Sequence, residues 1–193
     1  MTDPDLLGDH ERRYRADPDP WNQRTSAYER AKRAATIAAC GPAPRRRALE
    51  LGAGNAVLAK AIAPLADELV AVEGVPAAAA LARVRLEPVV GARVVEGLIP
   101  QGVPAGPYDL VIASEILTLL DEPSYRMTLR LLRGWLDVDA RVVAVHRTEP
   151  HTRQARSAEV VHADLAGQGF LSRVAGNGST GADYRLDVFE RSV

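Results

Sequence analysis

The densest group of residues able to do chemistry is the run Ala48-Leu-Glu-Leu-Gly-Ala-Gly-Asn-Ala-Val-Leu58, where Glu50 stands inside an apolar segment and Gly52, Gly54 and Asn55 follow. Glycine is required where a sharp strand-to-helix turn must bring bare backbone against a ligand, because a Cβ would clash or impose the wrong dihedral angles. A dinucleotide fingerprint would carry a third glycine three residues on, to seat a pyrophosphate on the helix N-terminus. That position is Val57. A carboxylate at the start of the turn repels a pyrophosphate and can instead hold an ammonium group, or order the loop that does.

A second acid stands where α/β nucleotide folds place the carboxylate for two ribose hydroxyls, about twenty residues after the glycines. It is Glu73, at the end of the apolar run Glu68-Leu-Val-Ala-Val-Glu73 and followed by Gly74. A lone G-x-G is often an ordinary tight turn; with Glu50 before it and Glu73 beyond it, a ligand site is the better reading. Further along, Ser114, Glu115 and His146 end or follow the apolar runs Tyr108–Ser114 and Ala140–His146. A histidine titrates near neutrality and is the natural base. Glu115 is its rival as base or acceptor anchor. His151 and His162 read as surface residues.

The elements that must position these residues alternate. Ser26-Ala-Tyr-Glu29 has the capping-box form and opens a helix that runs through an alanine-rich face to Cys40, where Gly41 and Pro42 stop it. The strand ending at Leu51, a helix over 55–63, the strand to Glu73, a helix opening at Val75-Pro76 and the strand Ala92–Glu96 follow. Tyr108–Ser114 is the most apolar run and so the central strand. Asp121-Glu-Pro opens an amphipathic helix, Ala140–His146 is a strand, 157–167 a helix, and 170–175 with 184–191 a closing pair joined by the turn-rich linker 176–181. Alternating βα units with a terminal hairpin mean an α/β fold, a doubly wound, mostly parallel sheet, with residues at the strands' carboxyl ends lining one crevice. No internal repeat or domain boundary is visible, so one domain is expected over 1–193, with 1–41 as an N-terminal segment and helix and 45–193 as the core. The first twenty residues are polar and broken by Asp17-Pro-Asp-Pro-Trp21; Tyr14 and Trp21 mark this stretch as docked rather than loose.

The E-x-G-x-G turn resembles motif I of class I S-adenosylmethionine-dependent methyltransferases. The run Tyr14-Arg-Ala-Asp-Pro-Asp-Pro-Trp21, with Tyr28-Glu-Arg-Ala-Lys-Arg33 after it, makes the chain similar to the NodS-type family of those enzymes from about Tyr14 to Arg147. The resemblance implies a seven-stranded Rossmann-like methyltransferase fold with a C-terminal antiparallel hairpin, S-adenosylmethionine as cofactor and S-adenosylhomocysteine as product. It implies cofactor contacts at Glu50, Gly52, Gly54, Asn55, Glu73, Gly74, Gly97, Leu98 and Ser114, and lid or acceptor contacts at Tyr14, Trp21, Arg24, Tyr28 and Arg33. Where the family uses an acidic or polar side chain for adenine, this chain has Leu98, so backbone groups or Glu96 would do that work; where the family follows its histidine with tryptophan, this chain has Arg147. The expected reaction is methyl transfer to a nitrogen or oxygen of a small molecule, a sugar or specialised metabolite, with a base near neutral pKa worth roughly 10² to 10⁴ in rate.

Composition limits the rivals. At 47% hydrophobic and 25% charged residues the chain is of the globular class, and a net charge of −1 leaves no electrostatic footprint for nucleic acid. The single cysteine needs no oxidising compartment, and the N-terminal residues carry no basic-then-apolar leader, so a cytoplasmic protein without membrane association is expected, its oligomeric state open. Two other readings compete: a silent S-adenosylmethionine-binding partner subunit, and an NAD(P)-dependent reductase whose Y-x-x-x-K would be Tyr28 and Lys32. The second is weakened because that pair precedes the glycine turn.

Overall fold

The computed structural model describes residues 4–42, 44–149, 156–177 and 183–192. A seven-stranded sheet runs through it in the order β3-β2-β1-β4-β5-β7-β6. The strands are β1 Arg45–Leu51, β2 Ala66–Glu73, β3 Ala92–Glu96, β4 Tyr108–Ser114, β5 Leu136–Arg147, β6 Leu171–Gly176 and β7 Tyr184–Arg191. The first five pair in parallel, and β7 lies antiparallel between β5 and β6. The expected Rossmann-like sheet and its closing hairpin are both present, and β4 takes the middle place. The chain order reverses between β1 and β4, the switch point where open α/β sheets bind ligands.

Helices cover both faces: α1 Pro4–Ala16, α2 Ala27–Ala39, α3 Val57–Ile62, α4 Pro76–Leu86, α5 Glu122–Trp135 and α6 Ala158–Ala166. One core joins Leu49, Leu51, Val70, Val72, Val111, Ala113, Val142 and Ala144 to α5 and α6. The other joins Ala48, Leu69, Ala71, Leu110, Ile112, Val143 and Val145 to α2 and α3. Because side chains alternate along a strand, each residue's parity decides which layer it enters. Glu50, Glu73, Ser114 and Arg147 continue the α2/α3 parity; His146 continues the α5/α6 parity.

Caps behave as the sequence predicts. The Ser26 hydroxyl accepts from Glu29 N–H, and Asp121 and Ser157 cap α5 and α6 in the same way. Cys40 closes α2, buried. The 55–63 helix starts later than expected, at Val57, because Ala56 stands in the left-handed region with φ 60°. The N-terminal segment contains a helix, α1, that the proline-broken reading did not predict. Its signals were present: Pro4 in the first turn, and Asp9–Arg13 and Glu11–Arg15 at the i,i+4 spacing that supports a helix. No described helix is long and apolar enough to cross a membrane. His151 and most of the linker 176–181 lie outside the described residues.

Candidate active site

The glycine turn folds over the carboxyl ends of β1 and β2. Gly52 and Gly54 have φ of 71° and 55°, and a Cβ on Gly52 would lie 2.7 Å from Ile116 while one on Gly54 would lie 2.6 Å from the Tyr14 hydroxyl. Both positions therefore need glycine for conformation and for space. Gly54 N–H donates to Glu73 Oε2 at 2.7 Å and Val75 N–H donates to Oε1 at 2.8 Å, so the carboxylate ties the turn to the end of β2.

These residues form one end of a cavity of about 340 Å³ whose wall includes Glu50, Gly52, Gly54, Glu73, Ser114 and Glu115. Glu50 is 2% exposed, and its Oε2 has no partner among the described residues. Burial, with the charge of Glu73 added, holds its pKa well above the ordinary carboxylate range. A buried carboxyl oxygen with nothing to bond, on a residue that lines the cavity, is what an ammonium-bearing ligand would satisfy. Glu73 keeps lone pairs for a ribose after taking its two amides. The bare glycine backbone, Glu50 and Glu73 fit S-adenosylmethionine; they do not fit a pyrophosphate.

The opposite end is built from α2, β4 and β5. Lys32, 5% exposed, donates to Glu115 Oε1 at 2.7 Å and to Glu29 Oε1 at 3.1 Å. Glu115 Oε2 accepts from Arg147 N–H at 2.9 Å, and Glu115 itself has φ 61°, a conformation uncommon for a side chain of its kind. The Arg147 guanidinium sits 4.5 Å from the centroid of the Tyr28 ring and 3.8 Å from Glu29. Lys32 lies 5.1 Å from the same ring, while the Tyr28 hydroxyl donates to Asp183 O at 3.4 Å. Tyr28 and Lys32 thus make a cation–aromatic contact, not the paired proton donor of a reductase.

The third wall is the N-terminal segment. Tyr14 and Trp21 meet edge to face at 5.1 Å, and both line the cavity with Arg33, whose guanidinium donates to Gln23 O at 2.8 Å. Asn55 is buried but does not reach the cavity. Its amide donates to Pro18 O at 2.8 Å and to Asp19 Oδ1 at 3.2 Å, so it fastens the D-P-D-P-W run to the glycine turn.

Several predicted site residues are placed elsewhere. Gly74, Gly97 and Leu98 are absent from the cavity wall; Leu98 packs on Gly74, and Gly97 lies against Gly102. Arg24 is exposed and Tyr28 lines a second pocket with Arg147. The expectation that His146 stands beside the acceptor is corrected by strand parity. It is fully buried on the α6 side, its Nδ1 3.1 Å from His162 Nε2. His162 is not a surface residue either; it is wholly buried and its Nδ1–H donates to Asp187 Oδ2 at 2.8 Å. Sequence reading missed Glu29 and Thr36 on α2, and Leu6, Asp9, His10 and Arg13 on α1, and it named Lys32 only for the reductase reading; all of these line the cavity. The i,i+3 spacing of Glu29 and Lys32 is visible in the sequence, but their inward direction is not.

The fold agrees with what the chain resembles. The nodulation protein S (NodS) family matches residues 5–149. A Pseudomonas syringae protein described as a candidate methyltransferase is 33% identical over 86% of this chain and 100% of its own, with a TM-score of 0.74. The N-methyltransferase NodS from Bradyrhizobium japonicum WM9, in complex with S-adenosylhomocysteine, superposes with a TM-score of 0.83 at 21% identity, over 97% of this chain and 98% of its own. The Burkholderia thailandensis 1,6-didemethyltoxoflavin-N1-methyltransferase, with 1,6-didemethyltoxoflavin and S-adenosylhomocysteine bound, gives a TM-score of 0.74 at 18% identity, over 97% of this chain and 88% of its own. No curated protein matches the chain in sequence. With a glycine turn and two carboxyls suited to its cofactor, the chain belongs to the NodS family of S-adenosylmethionine-dependent methyltransferases.

Proposed function

We propose that this enzyme methylates a nitrogen or oxygen of a small molecule, a sugar or a specialised metabolite. The observation that carries the reading is the continuity of the cavity: Glu50 and Glu73 at one end and Glu29, Lys32, Glu115 and Arg147 at the other share one space. A cofactor held at the first end would present its methyl group toward the second. Bound there, S-adenosylmethionine supplies an electrophilic methyl group on a sulfonium and leaves as a neutral thioether.

The chain's own part is placement. Glu50 would take the ammonium and Glu73 the ribose hydroxyls, and the Gly52–Gly54 backbone would lie against the ligand. Glu115, held from both sides by Lys32 and Arg147 N–H, anchors the acceptor. Orientation of this kind lowers a displacement barrier by about 7 to 11 kcal/mol. The Tyr14–Trp21 segment covers the space and keeps water out.

The test is calorimetric titration with S-adenosylmethionine, S-adenosylhomocysteine, NAD and NADP, followed by transfer of labelled methyl to a panel of amino sugars, primary amines and phenols. Binding of the first two ligands with label appearing in an amine or a phenol is expected. Binding of a nicotinamide nucleotide in their place, or cofactor binding with no label transfer to any small molecule while a protein or nucleic acid is labelled, overturns the proposal.

A further inference from the structure

His10, on the inward face of α1, lines the cavity and is the imidazole among the described residues that does so. Its Nδ1 lies 2.9 Å from Leu6 O. A carbonyl oxygen only accepts, so Nδ1 carries the hydrogen, and in the neutral ring Nε2 then holds a lone pair. The ring is stacked on Trp21, with centroids 5.0 Å apart and planes 30° apart, which sets its direction. No hydrogen bond to Nε2 is made by any described residue, nor is that atom sealed in the interior. His146 also has an unpartnered Nε2, but it is shut away behind β5.

We propose that His10 is the general base of the methyl transfer, accepting the acceptor's proton on Nε2. The inference rests on the methyltransferase reading of the same cavity. The step moves one proton. The acceptor N–H or O–H bond breaks, the proton goes to the Nε2 lone pair, and the electron pair stays on the acceptor atom, which uses it to bond the methyl carbon. The resulting imidazolium keeps its Nδ1–H bond to Leu6 O and returns the Nε2 proton to water at the cavity mouth.

The surroundings suit a base that must be neutral at work. Partial burial draws the His10 pKa below its ordinary value; the Leu6 carbonyl and Asp9 oppose this and Arg13 assists it. From the other elements of the wall, α2 contributes Glu29, Lys32 and Arg33, the sheet ends contribute Glu50, Glu73, Glu115 and Arg147. Lys32 and Arg147 together offset Glu29 and Glu115, and Arg13 is paired with Asp9, so no block of one sign of charge faces His10. A base carried on α1 would make the chemistry depend on the docking of the N-terminal segment. His10 stacks on Trp21, and Glu11 Oε2 accepts from Ala77 N–H at 2.9 Å at the start of α4.

The test has two arms. Nitrogen-15 shifts of His10 in the full chain, assigned by comparison with His10→Asn, read its tautomer and titration without any acceptor. The Nδ1–H tautomer, neutral at pH 7, is expected; an Nε2–H tautomer, or a cation at pH 7, overturns the proposal. In the second arm, His10→Asn places an amide N–H where Nδ1 stood and so keeps the bond to Leu6 O while removing the base. It should bind S-adenosylhomocysteine within threefold of the parent but transfer label to the panel's best acceptor about 10² to 10⁴ times more slowly, and the acidic limb of its kcat/KM profile should disappear. Unchanged kcat in His10→Asn defeats the role of His10 and leaves the methyltransferase reading standing. Failure of the parent chain to bind S-adenosylhomocysteine defeats both.

Discussion

The two ends of the cavity are constructed on different physical plans. At the cofactor end, the groups come from one short stretch, Glu50 to Gly54, and one neighbouring strand end, Glu73, and they are held by backbone: two left-handed glycines and two amide-to-carboxylate bonds. At the acceptor end, Glu29, Lys32, Glu115 and Arg147 come from α2, from the residue after β4, and from β5, and they are held by ion pairs between side chains. Backbone geometry tolerates almost no substitution, whereas side-chain networks can be exchanged in concert. The first plan suits a ligand that stays the same and the second a partner that varies.

The sharpest way to break this contrast is to add a Cβ to the turn. Gly52→Val would drive its side chain into Ile116 and force a branched residue to φ 71°; left-handed backbone alone costs about 1–2 kcal/mol. Affinity for S-adenosylhomocysteine should fall at least a hundredfold by calorimetry, with the melting temperature lowered as well. If binding survives intact, the glycine turn is not the cofactor cradle.

At the other end, Lys32→Met leaves Glu29 and Glu115 facing each other without their shared cation. Removing one partner of a buried pair costs about 3–5 kcal/mol, and the partial exposure of Glu115 reduces this to about 1–3 kcal/mol. Denaturant unfolding should show that loss, and methyl transfer should fall at least tenfold. The affinity for S-adenosylhomocysteine should change less than threefold, because the two ends do not share these bonds. A loss of cofactor affinity as large as that of Gly52→Val would show the ends to be one unit.

Glu50 sets the cofactor end against its own stability. Its folded pKa is raised, so the unfolded chain releases this proton first, and the neutral folded form is favoured below the ordinary carboxylate range. That contribution fades as pH climbs from there through the raised value. Glu50→Gln removes the buried ionisation and should raise the melting temperature of the ligand-free protein at pH 8 while weakening S-adenosylmethionine binding about tenfold. A lower melting temperature at pH 8 would mean that Glu50 is ionised and satisfied in the empty cavity. The smallest effect belongs to Arg24→Ala. Its side chain is exposed and away from the wall, so stability should stay within about 0.5 kcal/mol and transfer rates unchanged.

What was legible in the sequence follows the same division. Hydrophobic alternation, capping boxes and the glycine turn are local signals, so the strands, their order of alternation with helices, and the pair Glu50 and Glu73 could be read from spacing. The family resemblance carried Tyr14, Trp21 and Arg33 to the cavity wall, and the structure places them there. It also carried Gly74, Gly97 and Leu98, which stand outside that wall, Leu98 packed on Gly74 and Gly97 against Gly102.

His146 shows why the rest was not legible. A strand end can be read to within a residue, but one residue changes the face: Arg147 enters the cavity with Glu115, and His146 turns to His162 and Asp187. His10 shows the converse. Nothing in the run Leu6-Leu-Gly-Asp-His10 announces a ligand site, and only the docking of α1 beside Trp21 brings that imidazole to the wall. Local chemistry and periodicity are written in neighbouring residues, and the sequence determined the sheet and the turn from them, while the cofactor came with the family resemblance. Which charged side chains face one another across the cavity depends on how distant elements pack, and the tertiary structure alone decided it.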